Sequence, residues 1–138
     1  MQKDIKIFIS EEYNTSKQNI FDLISNGTLF KLTGAETVTL SFKKFGSFKL
    51  SFKDRGVIHG TFEEIIPDKR VSFKWNVSGF GRDDEMNTLV VISILKMDDG
   101  AIIEIQHSGI RTKVSANAKQ RAWTEIAREL KKEVVQLV

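Results

Sequence analysis

The sequence contains no cysteine and a single proline. Without cysteine there can be no disulfide, no thiolate nucleophile and no zinc–thiolate centre. Histidine is scarce too, at His59 and His107 alone. No apolar run approaches the roughly 18 residues that a bilayer span needs. Charges at Lys3 and Asp4 fall where a secretory signal would carry its apolar region. Also missing are a glycine-rich phosphate loop, a G-x-S-x-G nucleophile elbow and the acidic spacing of a calcium loop. The expectation is a cytoplasmic protein of one domain, residues 1–138. It should have no cofactor, no metal, no membrane span and no catalytic motif.

What the chain does have is alternation. Val38-Thr39-Leu40-Ser41-Phe42, Phe48-Lys49-Leu50-Ser51-Phe52 and Val71-Ser72-Phe73-Lys74-Trp75-Asn76-Val77 each switch between apolar and polar residues. That period belongs to strands with one dry and one wet face. Strands are expected at 2–9 and at about 36–43, 47–53, 56–66, 70–79, 87–97 and 101–109. Phe45-Gly46, Arg55-Gly56, Pro67-Asp68 and Asp98-Asp99-Gly100 supply turn chemistry at the junctions, which implies hairpins and an antiparallel meander. Gly79 to Glu85 reads as a polar loop and a candidate mobile lip.

Helices are fewer. Thr15 or Ser16 can cap a helix with the stripe Ile20, Phe21, Leu23 and Ile24, ended by Asn26-Gly27; a second turn follows at Thr28–Leu32. The last helix, from Val114 or Ser115 to about Gln136, carries Trp123, Ile126, Ala127, Leu130 and Val134 on one stripe. The C-terminal segment from Arg111 holds seven basic and three acidic residues, so the net charge of +3 is concentrated there. That excess is too small to argue for nucleic acid. Lys43-Lys44-Phe45-Gly46-Ser47-Phe48 departs from the RNA-binding strand pattern, because Lys44 stands where glycine is required.

Areas turn this pattern into a shape. A helix of about 23 residues shadows on the order of 350 Å². Seven strands present roughly 650 Å². One helix cannot cover that face, so the fold class is α+β: a curved antiparallel sheet of six or seven strands wrapped around the long C-terminal helix, with two short helices after the first strand. Incomplete coverage leaves a filled core or a cavity.

Gly60-Thr61-Phe62-Glu63-Glu64-Ile65-Ile66-Pro67, then Arg70-Val71-Ser72-Phe73-Lys74-Trp75, resembles the strand–turn–strand of the activators of heat-shock-protein-90 ATPase. These belong to the START-like (SRPBCC, helix-grip) superfamily. Thr88 to Ile94, Asp99-Gly100-Ala101, Ile103 to Gly109 and Ala122-Trp123 follow in the family's order, so the similarity runs from about Ile5 to Val134. Leu29, Phe30 and Leu32 stand where the family usually has a tryptophan, and Phe45-Gly46-Ser47-Phe48 stands in for its Gly-Gly-x-aromatic element. The resemblance implies a helix-grip fold, often with an apolar cavity between sheet and helix. It also implies a possible chaperone partner and a stress-response role.

Candidate residues follow. Phe48, Leu50, Phe62, Phe73, Trp75, Ile92, Ile105, Trp123 and Leu130 are expected to wall a site for a small hydrophobic molecule, lipid-like or aromatic. His107 shares a face with Ala101, Ile103 and Ile105, and would supply that site's polar end or serve the core. An enzyme using His107 is a further option, with no second catalytic group in view. A chaperone-associated protein-interaction domain would instead use the wet faces, with Lys49, Lys53 and Lys74. His59 lies opposite with Thr61 and Glu63, where a solvated strand face explains it better than a metal does.

Overall fold

In the computed structural model, described over residues 4–81 and 84–135, the alternating segments become a seven-stranded antiparallel sheet. Its strands are β1 (Ile5–Tyr13), β2 (Thr37–Leu40), β3 (Ser47–Ser51), β4 (Val57–Ile66), β5 (Arg70–Ser78), β6 (Glu85–Met97) and β7 (Gly100–Ile110). Spatial order is β1-β7-β6-β5-β4-β3-β2. β2 to β7 is thus the expected meander, and β1 joins it beside the last strand. Among the described residues no helix is long and apolar enough to cross a membrane.

Two helices carry the chain from β1 to the opposite edge: α1 (Lys17–Ser25) and α2 (Thr28–Lys31). Of the two capping candidates, Ser16 caps α1, its hydroxyl accepting from the Asn19 N–H at 3.1 Å. The long helix α3 (Lys113–Val135) follows β7 and buries Trp123, Ile126, Ala127, Leu130 and Val134 on one stripe. It packs chiefly on β1 and β7, whereas α1 lies against β6 and β7, and α2 near β2.

Strand ends differ from expectation where pairing reaches further or stops sooner. β1 continues to Tyr13, which pairs with Ala101, while Gln2 and Lys3 lie outside the described residues. Two adjacent glutamates had hidden that continuation, but Glu11 pairs with Lys131 at 2.7 Å and Tyr13 donates its hydroxyl to the Ala127 carbonyl at 2.6 Å. β2 stops at Leu40, because the chain already turns at Lys43 to Gly46. β6 starts at Glu85, shortening the loop before it; Arg82 and Asp83 lie outside the described residues, as does Gln136 after the last helix.

The sheet bends at its irregularities. Between Trp75 and Val77 the β5–β6 register slips, and Asn87 takes a left-handed φ of 62°. On β7, Gly109 has φ 82°, a conformation that favours glycine, next to the slip that faces Ile5 and Ile7. Bulges kink and twist a strand. These two irregularities flank Thr88 and His107.

Candidate functional site

Coverage of the inner face is uneven, as the area argument requires. Because α3 sits over β1 and β7, the inner side of β3, β4 and β5 must be closed by other means. At one end α2 closes it. The Phe30 ring lies 5.4 Å from Phe48, 6.2 Å from Phe62 and 5.5 Å from Phe73, and all four are buried to 2% exposure or less.

At the other end no side chain among the described residues fills the gap. A groove of about 530 Å³ runs between α3 and the sheet. Its sheet side is Phe52, Ile58, Trp75, Val77 and Phe80, and its flank is Leu32, Thr33 and Gly34. From α3 come Ser115, Ala118, Lys119, Ala122, Trp123, Glu125, Ile126 and Glu129. The helix offers only alanine at its two central positions, so the space stays open. Apolar walls with a few polar groups at the rim suit a small-molecule site.

Two tryptophans form the groove's inner wall, with ring centroids 5.2 Å apart. Behind them His107 is fully buried. The Trp123 indole N–H can only donate, and it donates to His107 Nδ1 at 3.0 Å. The ring proton therefore sits on Nε2, 2.8 Å from Thr88 Oγ1, and the Thr88 hydroxyl donates to the Trp75 carbonyl at 2.6 Å. The chain of bonds is complete, and both imidazole nitrogens are occupied. Burial, with a smaller contribution from the charge on Lys119, holds the His107 pKa down at about 3, while Glu85 opposes the shift. His107 is thus a neutral strut between the two tryptophans.

The ten residues expected to wall a ligand site therefore divide. Trp75 and Trp123 line the groove. Phe48, Leu50, Phe62, Phe73, Ile92, Ile105, His107 and Leu130 are buried to 2% or less, outside its walls. Alternation had put Phe52 on the dry face with Phe48 and Leu50, and it does line the groove; Ile58 and Phe80 were missed, because one sits where the alternation is broken and the other follows a strand end. The one available signal was the Ala118-x-x-x-Ala122 spacing, a gap in the helix's bulk.

A second arrangement that sequence reasoning missed fixes the start of α3. Glu85, at 8% exposure, accepts from the Arg111 N–H at 2.9 Å and the Ser115 hydroxyl at 3.0 Å, and pairs with Lys119 at 2.8 Å. Burial works to raise its pKa. The hydrogen bonds from Lys119 and Arg111, the Lys119 charge and the Ser115 hydroxyl outweigh that and lower it. A carboxylate near a helix N-terminus also suits the helix dipole. This clasp ties β6 to α3 at the groove's end.

On the opposite face of the sheet, Lys49, His59, Thr61, Lys74, Asn76 and Ser78 line a shallow depression of about 700 Å³. No carboxylate lines it among the described residues. Lys53 lies beyond β3 in the following turn, outside this patch. His59 and His107 are on opposite faces. Among the described residues no group of three or more histidines and carboxylates could hold a metal.

The chain's sequence matches the family model described as Activator of Hsp90 ATPase homolog 1-like protein over residues 14–135. No curated protein matches it. Several solved structures share the fold. A Mesorhizobium loti protein superposes with a TM-score of 0.84 at 12% identity, covering 97% of this chain and 98% of that one. The Aha1 dimer from Colwellia psychrerythraea gives 0.76 at 16% identity, with 94% and 96% covered. An HSP90 activator from Plasmodium falciparum gives 0.71 at 20% identity, with 88% and 89% covered.

Proposed function

The chain belongs to the Activator of Hsp90 ATPase homolog 1-like family, and from that premise we propose that it is a cytoplasmic binding module for a small apolar molecule held between α3 and the sheet. The observation that carries this reading is the apolar groove of about 530 Å³ with Trp75 and Trp123 as its inner wall. Each methylene buried there would gain about 0.8 kcal/mol. Phe52, Ile58, Val77, Phe80 and Ile126 supply the remaining apolar surface. The eight core residues behind them act at second hand, by holding the tryptophans in place.

Ligand contact is the role of Trp75 and Trp123 in this reading, and His107 is a positioning residue. A neutral imidazole whose nitrogens are both engaged has no free atom for acid–base chemistry. The reading is therefore of a binder rather than an enzyme.

Native mass spectrometry of the gently purified protein tests it, together with tryptophan fluorescence during titration with medium-chain alcohols. A stoichiometric adduct released on denaturation, or saturable quenching weakened at least tenfold by Trp75→Ala, is the expected result. No adduct and no saturable response from any chain length would overturn the proposal.

A second reading has its own observation. Lys49 and Lys74 share the outer depression, make no ion pair among the described residues, and meet no acid there. An acidic surface of a protein partner fits that face by charge, and a chaperone would be such a partner if the chain acts as the Plasmodium activator's name says of that protein. Lys49→Glu with Lys74→Glu should then abolish partner binding and leave alcohol uptake unchanged.

A further inference from the structure

We infer that the groove's ligand carries one anionic head, a carboxylate or its equivalent, and that Arg55 selects it. This rests on the groove reading above and adds the head group's chemistry and its end of the groove.

Four charged side chains line the groove: Arg55, Lys119, Glu125 and Glu129. Two already have partners. Lys119 pairs with Glu85 at 2.8 Å, and Glu129 with Lys132 at 3.1 Å. Arg55 has no carboxylate partner among the described residues; its guanidinium lies 5.2 Å from the centre of the Phe80 ring, itself a groove wall. A ring face takes none of a guanidinium's N–H groups as a carboxylate does, and that forked donor set matches a carboxylate's two oxygens.

The position is set by register. Arg55 lies in the turn between β3 and β4, and its N–H donates to the Phe52 carbonyl at 3.1 Å. That turn is at the sheet end where Val57 faces Ser78 and Val77 faces Glu85. Glu85 binds Ser115 and Lys119 in the first turns of α3. Arg55 therefore marks the same end of the groove as Lys119. Glu125 follows Lys119 by six residues, about 9 Å along the helix. Glu125, which makes no ion pair among the described residues, therefore stands toward the other end of the groove from an anion held at Arg55. The apolar body would extend from Arg55 past Phe80 and Val77 to Trp75 and Trp123.

Decanoate, decanol and decylamine share one tail and differ in the head, so they separate the claims. Binding to the native chain and to Arg55→Gln is followed by tryptophan fluorescence at low salt and neutral pH. Decanoate should bind roughly fivefold tighter than decanol, the range of a solvent-accessible ion pair. The ratio of decanoate to decanol affinity should shrink in high salt and fall to about one in Arg55→Gln, whatever the change in decanol binding itself; Arg55→Lys, which keeps the charge and loses the fork, should give a ratio in between. Equal binding of the three, a preference for decylamine, or a decanoate preference that survives Arg55→Gln would overturn the inference and leave the groove standing. If none of the three binds, the groove reading fails and takes this one with it.

Discussion

Two clusters of aromatic side chains lie on the inner face of one sheet, and Trp75 joins them. On one side it touches Phe48 and Phe73, with centroids 5.9 and 6.0 Å away. On the other it faces Trp123 at 5.2 Å. The strands contribute similar residues to both. The difference comes from above: α2 lowers Phe30 into the first cluster, while α3 presents Ala118 and Ala122 to the second. Where a large ring descends, the sheet gains a close-packed core. Where two methyl groups stand, it keeps a groove. Whether an aromatic face becomes core or binding site is decided by the opposing element.

The largest test of that contrast is Phe30→Ala. Removing a fully buried ring that touches three others should destabilise the protein by about 3–5 kcal/mol. Urea unfolding measures it. A loss below about 1 kcal/mol would mean that the first cluster is as loosely filled as the second, and the comparison would break.

A change of pH tests the strut behind the groove. The folded-state pKa of His107 is about 3, below its ordinary 6.5. The unfolded chain therefore takes up the proton first, and stability rises with pH across this window. The contribution is complete above about pH 6.5 and is lost as pH falls toward 3, with about 2 kcal/mol gone by pH 5. Glu85, whose carboxyl pKa is lowered, titrates in a more acidic range, so its loss comes later. In His107→Gln the first of these losses should be missing, although the variant starts about 1–3 kcal/mol less stable because the Trp123–His107–Thr88 bonds are disturbed. Unfolding curves at pH 7, 6 and 5 that run parallel for the two proteins would remove His107 as the neutral strut.

Much of this was legible in the residues. Alternation gave the strands and their dry faces, and the Trp123 to Val134 stripe gave the helix that lies across them. Other features depended on distant partners. Glu85 follows two aspartates and reads as loop, yet its ligands stand 26 to 34 residues on, at Arg111, Ser115 and Lys119. Thr88 looks like any strand threonine until His107 comes beside it. Alternation assigned Phe48, Phe62 and Phe73 to the correct face, but could not say which part of that face would be covered. Coverage depends on the path of α2 and on two alanines, and neither has a periodic signature.

Those alanines allow the contrast to be reversed with the smallest perturbation of the fold. Ala122 lines the groove from an exposed position on α3, and leucine is nearly as good a helix former. Ala122→Leu should lower a leucine side chain into the second cluster, as α2 lowers Phe30 into the first. Additional apolar burial then raises stability, by up to about 1 kcal/mol after the side chain is ordered. The same side chain occupies the volume a ligand would need, so decanol affinity should fall at least tenfold. Measured together, the two effects have opposite signs, as expected when a cavity is retained for binding at the expense of packing. A gain in stability with undiminished uptake would place the ligand elsewhere, and a loss of both would mean that the leucine distorts α3 instead of filling the groove.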